Sequence, residues 1–132
     1  MFLKRLNQIE KEAFVSLAVK AAEANGQSAD EEYQMLEAYC EEMGIAFFDA
    51  KNVKPIEDVI KIFSDSTDQH KKIAVLEIIG LMYADGEYDE IEKTFVEKFA
   101  DGIGVSHDDV KKSEEVLVKY ISMTRDILEC IE

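Results

Sequence analysis

Apolar residues along this chain recur at steps of three and four, and no stretch alternates at a step of two. Leu6, Ile9, Ala13, Leu17 and Ala21 make the first stripe, which runs out near Asn25-Gly26. That period is the mark of a helix with one face turned to a core. Ser28-Ala29-Asp30-Glu31 has the form of a capping box and opens a second helix. Its stripe is Leu36, Tyr39, Cys40 and Met43, and Gly44 stops it. Phe47 and Phe48 begin a short connection, and Pro55 suits the first position of a helix from Ile56 to Phe63, because its missing amide is an orphan there anyway. Ser66-Thr67-Asp68-Gln69 then opens a long helix to about Ala84 that is apolar almost all round, so it is expected at the centre of a bundle. Gly80 within it is expected to admit a neighbouring helix. Another helix runs from Asp89 to about Ala100 with Ile91, Phe95 and Phe99 inward. The last starts after Ser106 and carries Val110, Leu117, Tyr120, Ile121, Ile127 and Ile131. The chain reads as all-α.

Sliding the sequence against itself by sixty residues aligns Ala24-Asn25-Gly26 with Ala84-Asp85-Gly86, Glu32 with Glu92, and Gly44-Ile45 with Gly104-Val105. Two copies of helix, glycine turn, helix, glycine stop are therefore expected, over residues of about 11–50 and 71–110. The acidity follows the same division. Residues 21–49 carry a net charge of −8 and residues 83–109 a net of −7, whereas the whole chain carries −14. Charge meant only for solubility would be scattered; here it is gathered on two turn-and-helix units.

At 132 residues, 47% apolar and with a single proline, the chain is long enough for one helical domain with its own core. The acidic balance speaks against nucleic acid and anionic lipid, which need clustered Lys and Arg. The opening MFLKRLNQIEKEAF is too charged for a signal peptide, and the longest apolar run, Ile73 to Ala84, contains Glu77 and is too short to span a bilayer. Cys40 and Cys130 have no paired spacing and are expected reduced and half-buried, as in a cytoplasmic protein. His70 and His107 fall in first turns without a ligand partner and are expected in solvent. Glu77 is expected to reach solvent or a lysine at the edge of the bundle. No GxSxG sequence, Cys/His pair or phosphate loop is present, so no enzymatic activity is expected.

The segment Tyr83-Ala84-Asp85-Gly86-Glu87-Tyr88-Asp89-Glu90-Ile91-Glu92 holds five carboxylates around one glycine. Asp89 and Glu92 have capping-box spacing, with Tyr88 ahead of them as a hydrophobic staple. The same oxygens, with Asp85, could instead close on a hard divalent cation. An EF-hand is excluded, because its first and third ligand positions fall on Leu81 and Tyr83. Both readings, capped turn and cation site, stand on spacing alone.

The unit Ala84-Asp85-Gly86, Tyr88, Asp89 and Glu92, followed by Phe95, Phe99 and Gly104-Val105, resembles the TerB-like family of tellurite-resistance proteins. The first copy gives Ala24-Asn25-Gly26, Glu32, Leu36 and Gly44-Ile45, but has Asn25 for the acid, Ser28 for the apolar residue and Ala29 for the cap. The resemblance implies a compact bacterial bundle of about seven helices, in one domain over residues 1–132. It also implies a role in a tellurite or stress response. Its acidic clusters would hold a divalent cation (Ca²⁺, Mg²⁺ or Mn²⁺), through Asp85, Asp89 and Glu92 and, in the weaker copy, Asn25 and Glu32. The alternative is a metal-free module that offers its acidic faces to a basic protein partner.

Overall fold

A computed structural model describes residues 2–24, 26, 29–45, 53–84 and 88–132, without the side chains of residues 29–33, 35, 36 and 84. Among the described residues the chain is all-helical, with a 3-10 turn at Leu3–Arg5 and six α-helices. These are α1 (Gln8–Ala24), α2 (Ala29–Met43), α3 (Ile56–Ser64), α4 (Asp68–Ala84), α5 (Glu90–Ile103) and α6 (His107–Ile131).

The core is shared by two helices, where the apolar pattern pointed to α4 alone. From Ala13 to Val19 every residue of α1 is buried, Ser16 included, and α1 packs against α2, α3, α4 and α5. Small side chains at Ala13, Ala18, Ala21 and Ala22 let its neighbours approach from several sides, which a search for one apolar stripe overlooks. Ser16 is accommodated because its hydroxyl accepts the Lys54 amide at 3.0 Å. From α4 come Ile73, Ala74, Val75, Ile78, Ile79, Leu81 and Met82, and Phe63 of α3 meets Phe99 of α5 edge to face at 5.9 Å.

Gly44 and Gly104 end α2 and α5 in left-handed conformation, with φ of 69° and 83°. After each, the following amide reaches back to a carbonyl five residues earlier: Ile45 to Cys40 at 3.0 Å and Val105 to Ala100 at 2.9 Å. This satisfies carbonyls that the helix leaves open. The close helix approach is at Gly102 rather than Gly80. A Cβ at Gly102 would lie 3.0 Å from Ile60 Cγ2, whereas one at Gly80 would meet only Leu117 Cδ2 at 3.8 Å.

Several local expectations change. Pro55 is the N-cap of α3, with ψ of 152°, and not its first helical residue. Cys40 is buried and Cys130 exposed. Glu77 accepts the backbone amide of Phe2 at 2.6 Å, which ties the N-terminus to α4. Ile9 and Ile91, expected in the core, are 61% and 63% exposed, while the glutamates beside them, Glu10 and Glu92, are 3% and 2% exposed. No described helix is long and apolar enough to cross a membrane.

Candidate functional site

The joint between α4 and α5 holds the second acidic unit. Asp89 is the N-cap of α5, in extended conformation, and its Oδ1 accepts the Glu92 amide at 2.9 Å. Glu92 Oε1 in turn accepts the Asp89 amide at 3.3 Å. The capping box expected from spacing is therefore formed, and it satisfies two amides that begin a helix. Tyr88 packs beneath it: its ring lies 4.9 Å from that of Tyr83, and Lys93 Nζ sits 5.7 Å over its centroid. Burial pushes the Tyr88 phenol well above its usual range, and the carboxylate charge of Glu114 on α6 adds to that. Tyr83 moves the same way for the same two reasons.

The two carboxylates of the box have different surroundings. Asp89 is exposed, as a capping residue normally is. Glu92 lies in phase with Val96, Phe99 and Ile103 on the buried face of α5. Carboxylates are seldom buried without compensation, and the positive end of a helix is one source of it.

Asp89 and Glu92 thus present an all-oxygen pair at one helix start, which suits a hard divalent ion better than zinc. Asp85, the third expected ligand, lies outside the described residues, as do Asn25 and the side chain of Glu32 in the weaker copy. The capping box expected at Ser28 is outside them too. Among the described residues no group of three His, Cys, Asp or Glu side chains could hold a metal ion.

A second buried carboxylate went unread in the sequence. Asn7 and Glu10 form the same reciprocal arrangement at the start of α1, each amide donating to the other's side chain at 2.8 Å. Glu10 also accepts from the Ser66 hydroxyl and lies 2.8 Å from His70 Nδ1. Burial works against charging Glu10. The Ser66 hydroxyl, the Asn7 amide and His70 outweigh it and hold the carboxyl below its ordinary 4.5. His70 is therefore a half-buried partner of Glu10 and not a solvated residue, whereas exposed His107 pairs with Asp101 at 2.8 Å. The Asn-x-x-Glu spacing was the available signal. Ser66 does not face His70 as a nucleophile faces its base; both meet the carboxylate, which makes this a structural clasp between α1 and α4.

With the helical bundle and the capped acidic turn in place, the comparison with known families is decisive. Residues 11–115 match the family described as Tellurite resistance protein TerB. The chain belongs to the TerB family. No curated protein and no solved structure matches it. The TerB match takes in α1 from its second turn, α2 to α5 and the first third of α6, and so includes both acidic units and Glu92, whereas Glu10 lies one residue before it.

Proposed function

We propose that this TerB-family chain is a small, non-enzymatic, cytoplasmic protein of a tellurite or stress response. In this reading it holds Ca²⁺, Mg²⁺ or Mn²⁺ at the α4–α5 joint. The observation that carries the reading is the burial of Glu92, 2% exposed at the start of α5 and next to a segment that contains Asp85 and Glu87. Asp89 and Glu92 would supply oxygens from the helix start and Asp85 from the turn. The cation would offset the cost of gathering these charges. We take the two acidic units as a repeat, a view supported by the matching helix ends at Gly44-Ile45 and Gly104-Val105, sixty residues apart.

The test is the thermal midpoint of chelator-treated protein with each cation, against NaCl matched for ionic strength. A ligand that binds only the native state raises the midpoint saturably. A rise seen with one ion and lost in Asp85→Asn/Glu92→Gln supports the site. If NaCl reproduces the rise, the second reading takes over. That reading is a metal-free module for a basic partner, favoured by the gathering of negative charge on residues 21–49 and 83–109 and expected to bind in a salt-sensitive way.

A further inference from the structure

The second half of α6 leaves the bundle uncovered. Val116, Tyr120, Met123, Ile127 and Ile131 are 49–77% exposed, and Tyr120, Ile127 and Ile131 belong to the apolar set read in the sequence for this helix, whose Val110 and Leu117 are buried. Val116, Tyr120, Met123 and Ile127 follow one another at steps of four, three and four, the spacing of a coiled-coil seam. The seam begins at residue 116, immediately after the TerB match ends at 115. It is about 24 Å long at 1.5 Å per residue.

We propose that this seam pairs with the same seam of a second copy, antiparallel, to form a two-fold dimer. Charge sets the direction, and a complementary pair along the seam fits a second copy. Residues 116–132 carry Lys119 and Arg125 against Asp126, Glu129 and Glu132, a net of −1, which leaves −13 on residues 1–115. Parallel pairing would bring two strongly acidic bodies side by side; antiparallel pairing puts them at opposite ends. In the antiparallel register that sets Tyr120 against the second copy's Met123, and Val116 against its Ile127, Lys119 falls opposite the second copy's Asp126. Two-fold symmetry makes that ion pair twice. A parallel pair would instead set Lys119 opposite Thr124 and Asp126 opposite Ile131. The seam also runs into a groove between α4 and α6, with Val75, Leu76 and Val105 as its floor and Lys112 and the Lys72–Asp109 pair, 3.9 Å apart, at its rim. In the antiparallel register the second copy's Ile131 and Glu132 arrive there, an apolar side chain over an apolar floor and a carboxylate on the side of Lys112.

Sedimentation equilibrium of the full chain tests this from roughly 1 to 200 µM, a range that spans the affinities of small interfaces. Twice the chain mass of 15.0 kDa is expected. Ile127→Glu should return the protein to monomer with its helical circular dichroism intact. Lys119→Glu should weaken the dimer about tenfold, and Lys119→Glu/Asp126→Lys should restore it, as coupled charges do. A monomer throughout the range overturns the proposal, as does a dimer indifferent to Ile127→Glu. Failure of the double exchange to restore association overturns the antiparallel register. A monomer that binds neutral lipid vesicles through this face would assign it to a membrane surface instead.

Discussion

Glu10 on α1 and His70 on α4 meet at 2.8 Å, sixty residues apart in sequence. The carboxylate must accept, so His70 Nδ1 carries the proton toward it. With Ser66 and Asn7 on the same carboxylate, the interaction fixes the start of α1 against the start of α4. Its consequence for pH has a definite sign. The folded carboxyl lies below the ordinary 4.5, so its stabilisation is present above that value and lost as pH falls through the depressed folded value. Comparing wild type and Glu10→Gln by denaturant unfolding should show a gap at neutral pH that closes in acid. Glu10→Ala should cost about 1–3 kcal/mol in all, because its partners Ser66 and His70 are half-buried and Asn7 is exposed, so water replaces part of what they lose. Curves for wild type and Glu10→Gln that stay parallel from pH 7 to below the ordinary carboxyl range would show that Glu10 acts by shape alone.

At the second capping box the two carboxylates can be told apart. Asp89→Ala removes the acceptor of the Glu92 amide and should cost about 1 kcal/mol, as N-cap deletions do. Asp89→Asn keeps an acceptor and loses the charge. In chelator it should melt close to wild type; with the divalent ion of the proposed site its gain should be smaller. Equal gains for Asp89→Asn and wild type would remove Asp89 from any ligand set and leave it as a cap.

Most of the architecture was legible because helix period, glycine stops and Ser or Asp caps are local signals. Gly44, Gly104, Ser106 and Asp89 each do what their position suggests: two left-handed ends, and two side chains that accept the amide three residues on. The two misread isoleucines share one physical origin. Reading Ile9 and Ile91 inward assumed that apolarity alone sets the phase of a helix. A capping box turns its glutamate back over the first turn, and at Glu10 and Glu92 that residue is also in phase with the buried face. The isoleucine before it is therefore rotated about 100° away, into solvent. The outer stripe of α6 misled in the opposite way. Its period is real, but among the described residues those side chains stay exposed, and the cover proposed for them comes from a second copy. The ligand set was least legible, because Asp85 and Glu32 depend on how a turn closes, and spacing does not determine that.

Two glycines within helices, Gly80 in α4 and Gly102 in the last turn of α5, should respond oppositely to alanine. At Gly80 the new methyl would meet Leu117 Cδ2 at an ordinary 3.8 Å, so Gly80→Ala should stabilise by about 0.5–1 kcal/mol through reduced backbone freedom. At Gly102 it would come within 3.0 Å of Ile60 Cγ2, an atom on a branched carbon that cannot swing away cheaply. Gly102→Ala should destabilise by about 1–3 kcal/mol through overpacking between α3 and α5. Chemical denaturation of both variants gives the comparison. A stabilising Gly102→Ala would mean that Ile60 yields easily and that the contact does not constrain the α3–α5 spacing.

The phenol of Tyr88 offers a spectroscopic report on the joint from the side of α6. Burial and then the charge of Glu114 raise its ionisation above the ordinary 10.0. The folded state therefore favours the protonated phenol. The associated stability is complete below the unfolded value and is lost as pH climbs past it toward the raised folded value. In an absorbance titration at 295 nm Tyr88 should ionise only as the protein unfolds in alkali, and Tyr88→Phe should remove one phenol from that late step. Glu114→Gln takes away the nearby negative charge and should shift the late step to lower pH, while burial keeps it above 10.0. If Tyr88→Phe left the late step unchanged, or Glu114→Gln shifted it upward, the phenol would not be held as described, and α6 would not press on the α4–α5 joint through Glu114.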